Sequence, residues 1–107
     1  MPLRIVYVST LKPDFDQSEL AELVDKAAAF NRYKNITGVL AIEDNRVCQI
    51  LEGPEAELSA LYKRIEADTR HAGVTLLTRD VIDVLTFPDW GMARRQMADM
   101  VVSAFSL

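Results

Sequence analysis

A chain of 107 residues, half of them hydrophobic and 26% charged, is expected to form one domain with a core of its own. Its net charge of −4 argues against a nucleic-acid binder, which usually carries a basic face. One cysteine and one histidine exclude an intramolecular disulfide and leave too few soft ligands for a structural zinc site.

Leu3 to Ser9 is rich in β-branched and aromatic residues and reads as a buried strand. Ser18 to Asn31 reads as a helix capped by Asp16 or Ser18, with Leu20, Leu23, Val24, Ala27 and Ala28 at helical spacing. Gly38 to Ile42 and Arg46 to Glu52 read as a hairpin turning at Asp44-Asn45. A second helix starts at Gly53-Pro54, with Pro54 near its first position and Glu55 and Glu57 at its positive end, and stops near Asp68. Val74 to Leu77 and Val81 to Thr86 read as a fourth and a fifth strand, Phe87-Pro88-Asp89-Trp90 breaks the pattern, and Met97 to Phe105 suits a last short helix. This order predicts an α+β domain: a ferredoxin-like βαββαβ core with an added strand, two helices on one face of a five-stranded mixed sheet. Residues 1–107 form one unit, with 95–107 packed on the sheet or in a dimer interface. No apolar run approaches the ~20 residues of a membrane span. Met1-Pro2-Leu3-Arg4 has no signal-peptide pattern, so a cytoplasmic domain is expected.

The most informative segment is Val47-Cys48-Gln49-Ile50-Leu51-Glu52-Gly53, where a neutral carboxamide sits inside an apolar strand. An unpaired buried amide costs roughly 1–3 kcal/mol, so Gln49 needs partners. Strand alternation puts Ile5, Tyr7 and Ser9 on one face and Val47, Gln49 and Leu51 on one face. If the first and third strands are central neighbours, Tyr7 and Gln49 can meet beneath the helices. Such a pair is either a structural hydrogen bond or a ligand-reading device. The other face, with Val6, Val8, Cys48, Ile50 and Leu40 with Ile42 or their alternates, is also apolar. It needs a cover, which suggests self-association.

Five motifs in order resemble the BLUF family of flavin-binding blue-light sensor domains, and together they span nearly the whole chain. They are Ile5-Val6-Tyr7-Val8-Ser9; Asn31, a four-residue spacer and Ile36-Thr37-Gly38; Gln49-Ile50-Leu51-Glu52-Gly53; Asp68-Thr69-Arg70-His71; and Phe87-Pro88-Asp89-Trp90-Gly91-Met92. The resemblance implies a flavin ring between the two helices, with FAD expected and FMN or riboflavin as alternatives. It implies that Asn31 bonds the ring's carbonyl edge and that Gln49 lies between the ring and Tyr7. Arg70 and His71 would lie near the ring's polar edge or ribityl chain, with Asp68 nearby. Blue light would move an electron, and with it a proton, from Tyr7 toward the flavin. Gln49 would rotate or tautomerise, and Trp90 or Met92 would carry the change outward to an effector protein or domain absent from this chain.

Departures from the family pattern bear on cofactor affinity and output. Ala27 and Phe30 stand where members often carry polar residues, Val47 where Phe is usual, and Leu85 where Arg is frequent. The competing reading is a light-insensitive dimerisation domain on the same fold. An acyl-phosphate hydrolase is disfavoured, because Thr10-Leu11-Lys12-Pro13-Asp14-Phe15 offers no Gly or Arg to cradle phosphate. No Ser/His/Asp set is visible, and a non-enzymatic sensor is expected.

Overall fold

The computed structural model describes residues 1–86 and the backbone of Ala93–Arg94. Strand β1 (Pro2–Leu11) leads through a short 3-10 turn (Gln17–Glu19) into helix α1 (Leu20–Tyr33). Strands β2 (Thr37–Glu43) and β3 (Arg46–Pro54) form the hairpin; helix α2 (Glu55–Ala67) and strand β4 (His71–Val81) follow. A two-residue strand, β5, spans Ala93–Arg94.

The sheet order is β4-β1-β3-β2-β5. The first four strands pair antiparallel, and β5 pairs parallel with β2. The described residues therefore form an α+β domain, with two helices and four antiparallel strands flanked by the short parallel β5. β1 and β3 are central neighbours in a register that sets Tyr7 opposite Gln49.

Local chemistry explains the element ends. Asp16 caps the 3-10 turn, its Oδ1 accepting the Ser18 N–H at 2.9 Å, so α1 begins after the position where Ser18 was expected to start it. Asn35 has φ 60° and Asp44 φ 56°, which end α1 and turn the hairpin. Pro54 is the N-cap of α2, one position before its predicted place inside the helix.

The helix-facing side of the sheet holds Leu3, Ile5, Tyr7 and Leu51 against Leu58, Leu61, Tyr62 and Ile65 of α2. Nearer α1, Leu11, Leu40 and Val47 pack with Phe15, Val24 and Ile42. The other face takes Val6, Val8, Val39, Ala41, Cys48 and Ile50, so Leu40 and Ile42 belong to the helix side. This back face is already buried within the single chain, and it is not the open apolar surface that suggested self-association. Glu52 on the same side is 0% exposed. Its Oε2 accepts from Arg4 Nε at 2.7 Å and its Oε1 from the Thr86 N–H.

Two expectations need correction. Val74–Leu77 is not a separate strand; β4 runs from His71 to Val81 along nearly the whole of β1. Its polar residues Thr78, Arg79 and Asp80 are tolerated because β4 is an edge strand whose side chains meet water. No strand forms at 82–86, where the chain leaves the sheet edge and Thr86 ties to Glu52. The expected helix at Met97–Phe105, the packing of 95–107, and the positions Trp90 and Met92 lie outside the described residues.

Candidate functional site

The period-two alternation of two central strands builds the centre of the site. Tyr7 on β1 and Gln49 on β3 are directly opposed, both side chains point toward the helices, and both are about 5% exposed or less. The Tyr7 hydroxyl donates to Gln49 Oε1. That bond assigns the amide's ends, with oxygen toward Tyr7 and nitrogen away from it. Burial pushes the Tyr7 phenol well above the usual tyrosine range, and the nearby Tyr62 hydroxyl adds to it. The phenol therefore stays protonated and remains a donor at neutral pH. The two tyrosine rings meet edge to face, centroids 5.9 Å apart.

Tyr7 and Gln49 open onto a cavity of about 180 Å³. Its floor is the sheet, with Leu40, Ile42 and Val47 beside Gln49. One wall is the stripe Leu20, Leu23, Val24 and Ala27 of α1; the other is formed by Ile65 near the end of α2 and by Asp68, Arg70 and His71 after it. The walls are apolar and the polar groups gather at the floor and at one rim. That distribution suits a flat ring with polar edges.

At the rim, Arg70 is held by Asp68. Asp68 Oδ1 accepts from both the backbone N–H and Nε of Arg70 at 2.9 Å. This contact holds the Asp68 carboxyl below the usual aspartate range and raises Arg70 further. The Arg70 guanidinium is thus partly neutralised where it meets solvent. His71 is anchored at both nitrogens, with Nδ1 2.8 Å from Ser9 Oγ and Nε2 2.6 Å from the Ile65 carbonyl oxygen.

The sequence-derived set separates accordingly. Tyr7, Gln49, Asp68, Arg70 and His71 come together around one cavity. Asn31 is buried one helical turn beyond Ala27, on the stripe that forms the cavity wall, but it does not line the cavity. Its backbone carbonyl accepts the Lys34 and Ile36 N–H groups at 3.0 and 2.7 Å. Lys34, not Asn31, is the C-cap of α1. Phe30, one of the departures, lies under the Arg64 guanidinium, 4.6 Å from ring centroid to Cζ, and so links the helices by a cation–π contact. Sequence reasoning assigned no role to Ser9 or Phe15, although the alternation that found Tyr7 places Ser9 on the same face.

The residues present fit a flavin ring: apolar walls take its faces, and an amide beside a phenol meets a polar edge. A volume of about 180 Å³ lies below the roughly 300–1,000 Å³ of sites for whole drug-sized ligands. A ligand larger than this would extend beyond the cavity.

Comparison with known proteins agrees. The family model described as sensors of blue-light using FAD, BLUF, matches residues 3–93. The chain is 30% identical over 88 residues to the blue light- and temperature-regulated antirepressor BluF of Escherichia coli strain K12. That match covers 82% of this chain but 22% of BluF. The BlsA ground-state structure superposes with a TM-score of 0.85 at 29% identity, covering 99% of this chain and 72% of that one. A Klebsiella pneumoniae BlrP1 structure with FMN and cyclic diGMP gives a TM-score of 0.86 at 30% identity, covering 99% of this chain and 30% of that one. With the family model matched over most of its length, and with the tyrosine and glutamine of the family pattern paired beside a ring-sized cavity, the chain belongs to the BLUF family of blue-light sensor domains.

Proposed function

We propose that this domain senses blue light through a flavin seated between α1 and α2, with Tyr7 and Gln49 as its switch. The buried Tyr7–Gln49 hydrogen bond at the cavity floor is the observation that carries the reading. A bound flavin supplies light absorption and the capacity to accept an electron. Tyr7 is the residue that gives up an electron together with its phenolic proton. Gln49 Oε1 already holds that proton in a hydrogen bond, so the amide stands in the proton's path. A carboxamide exchanges donor and acceptor ends with little change of shape, which lets Gln49 settle in a second arrangement once the Tyr7 bond is disturbed.

Asn31, Gln49, Asp68, Arg70 and His71 are the cofactor-contacting set in this reading, with Arg70 sharing its charge between Asp68 and the ligand. FAD is the proposed cofactor, on the family's description. The ring cavity does not discriminate among flavins, because the parts by which FAD, FMN and riboflavin differ would lie beyond it. The strand order β4-β1-β3-β2 supports a ferredoxin-like βαββαβ core. Trp90 or Met92 is proposed to pass the change to an effector protein or domain, in a cytoplasmic setting. Self-association through the back face would require an additional surface, since that face is already covered.

The test is optical. Purified protein should be yellow, and blue light should shift its flavin band slightly to the red, with recovery in the dark. Tyr7→Phe and Gln49→Leu should each bind flavin and lose the shift. A normal photocycle in either variant would sink the proposed switch.

A further inference from the structure

The cavity rim contains a contact to which the proposed switch gives no role. His71 reaches the cavity wall with both ring nitrogens committed to protein atoms. A carbonyl oxygen can only accept, so the Ile65 contact places a hydrogen on Nε2. In a neutral imidazole Nδ1 is then the acceptor, and the Ser9 hydroxyl donates to it. Ser9 is 5% exposed, stands two residues beyond Tyr7 on the same face of β1, and does not itself line the cavity. The Ser9–His71–Ile65 chain therefore ties β1 to the last turn of α2 across one end of the cavity.

We infer that Ser9 is a positioning residue for ligand binding: its hydroxyl, bonded to His71 Nδ1, holds in place the ring whose Nε2–H is anchored to Ile65. His71 then meets the ligand as a fixed wall beside Tyr7, with both ring nitrogens held by protein atoms. This rests on the flavin site proposed above. The cost of freeing His71 to bond a ligand is the loss of one or both of these protein contacts. Without the Ser9 hydroxyl, Nδ1 loses its donor and the ring is held by the Ile65 contact alone.

The chain has one histidine, so a long-range proton–nitrogen NMR spectrum of the nitrogen-15-labelled protein reads this ring without assignment. Near neutral pH the wild type should show the Nε2–H tautomer. In Ser9→Ala the Nδ1 resonance should move to that of a nitrogen with no hydrogen-bond donor, and Ser9→Thr, which keeps the hydroxyl, should leave it in place. The flavin dissociation constant should rise about fivefold in Ser9→Ala, the size expected for one hydrogen bond, and return toward wild type in Ser9→Thr. A wild-type ring in the Nδ1–H or doubly protonated form overturns the proposal, even if Ser9→Ala does not fold. So does a Ser9→Ala protein whose Nδ1 resonance stays where the wild type has it, whatever its affinity. A colourless protein that refuses flavin counts against the function proposed above, whereas the NMR reading judges the Ser9–His71 contact independently of flavin.

Discussion

In the proposed switch Tyr7 carries two demands at once: it must stay protonated in the dark and must be able to lose its proton once the flavin is excited. Burial meets the first, because a phenolate in this setting would lack solvation. The same effect makes a pH prediction. Below the ordinary phenol value of 10.0, Tyr7 is protonated both folded and unfolded and contributes no slope. Above it the unfolded chain ionises while the folded chain keeps the proton, so stability is lost as pH rises from there through the raised folded value. Tyr7→Phe removes this term. Urea unfolding of both proteins should show the stability difference moving in favour of Tyr7→Phe as pH passes 10, and a difference that stays constant would contradict it. The Tyr7–Gln49 pair was legible from the sequence because period-two alternation fixes which side chains share a face, and an amide in an apolar strand demands a partner. The Ser9–His71 contact was not. It depends on β4 pairing Leu11 with His71, a register set by two irregularities in the ladder that alternation alone cannot locate.

At the scale of elements, β1, β2, β3 and both helices were readable because each buries an apolar set with its own period. β4 was read only over Val74 to Leu77, because its polar part, Thr78, Arg79 and Asp80, resembles a loop when burial is the criterion. An edge strand has no such requirement, since its pairing with β1 is made by backbone groups. The β2–β3 hairpin shows the opposite situation, in which a residue that looks incidental is tightly constrained. A Cβ added at Gly38 would stand 2.6 Å from the Ile50 carbonyl oxygen and 2.8 Å from Leu51 Cδ2. The Ile50 oxygen is backbone and cannot yield without disturbing the strand that carries Gln49. Gly38→Ala should therefore destabilise the fold by about 1–3 kcal/mol, the usual range for overpacking. The check is a lower urea midpoint with an unchanged slope; an unaltered midpoint would mean that the hairpin relaxes freely. The glycine of the Ile36-Thr37-Gly38 motif thus has a packing reason independent of any ligand.

For the whole molecule, ligand and fold should be linked. The cavity lies where α1, α2 and the sheet meet, so a ligand there touches parts of all three layers and binds the folded chain alone. Flavin at a hundred times its dissociation constant should add about 2.7 kcal/mol of stability. For a domain of this size that raises the melting temperature by about 10 °C or more. Thermal melts with and without added flavin test this, and identical melting temperatures would place the ligand elsewhere or nowhere. The back face points to a different division of labour. It is apolar, buried and free of the cavity, and Glu52 anchors it to the stretch ending at Thr86. One side of the sheet thus carries the cavity, and the other carries the buried Glu52 that holds Arg4 and Thr86.

The irregular ladder between β1 and β4 has one more effect. Val6 pairs with Thr78 and Tyr7 with Leu76, which leaves Leu77 as an extra residue in a bulge on the outermost strand. Leu77 and Val81 are both exposed on that strand, and a straight edge with such side chains would template the addition of further chains, the first step toward fibrils. The bulge twists the edge and interrupts its row of backbone donors and acceptors. The distortion that brings His71 to the cavity thereby also protects concentrated protein from growing by edge-to-edge strand addition.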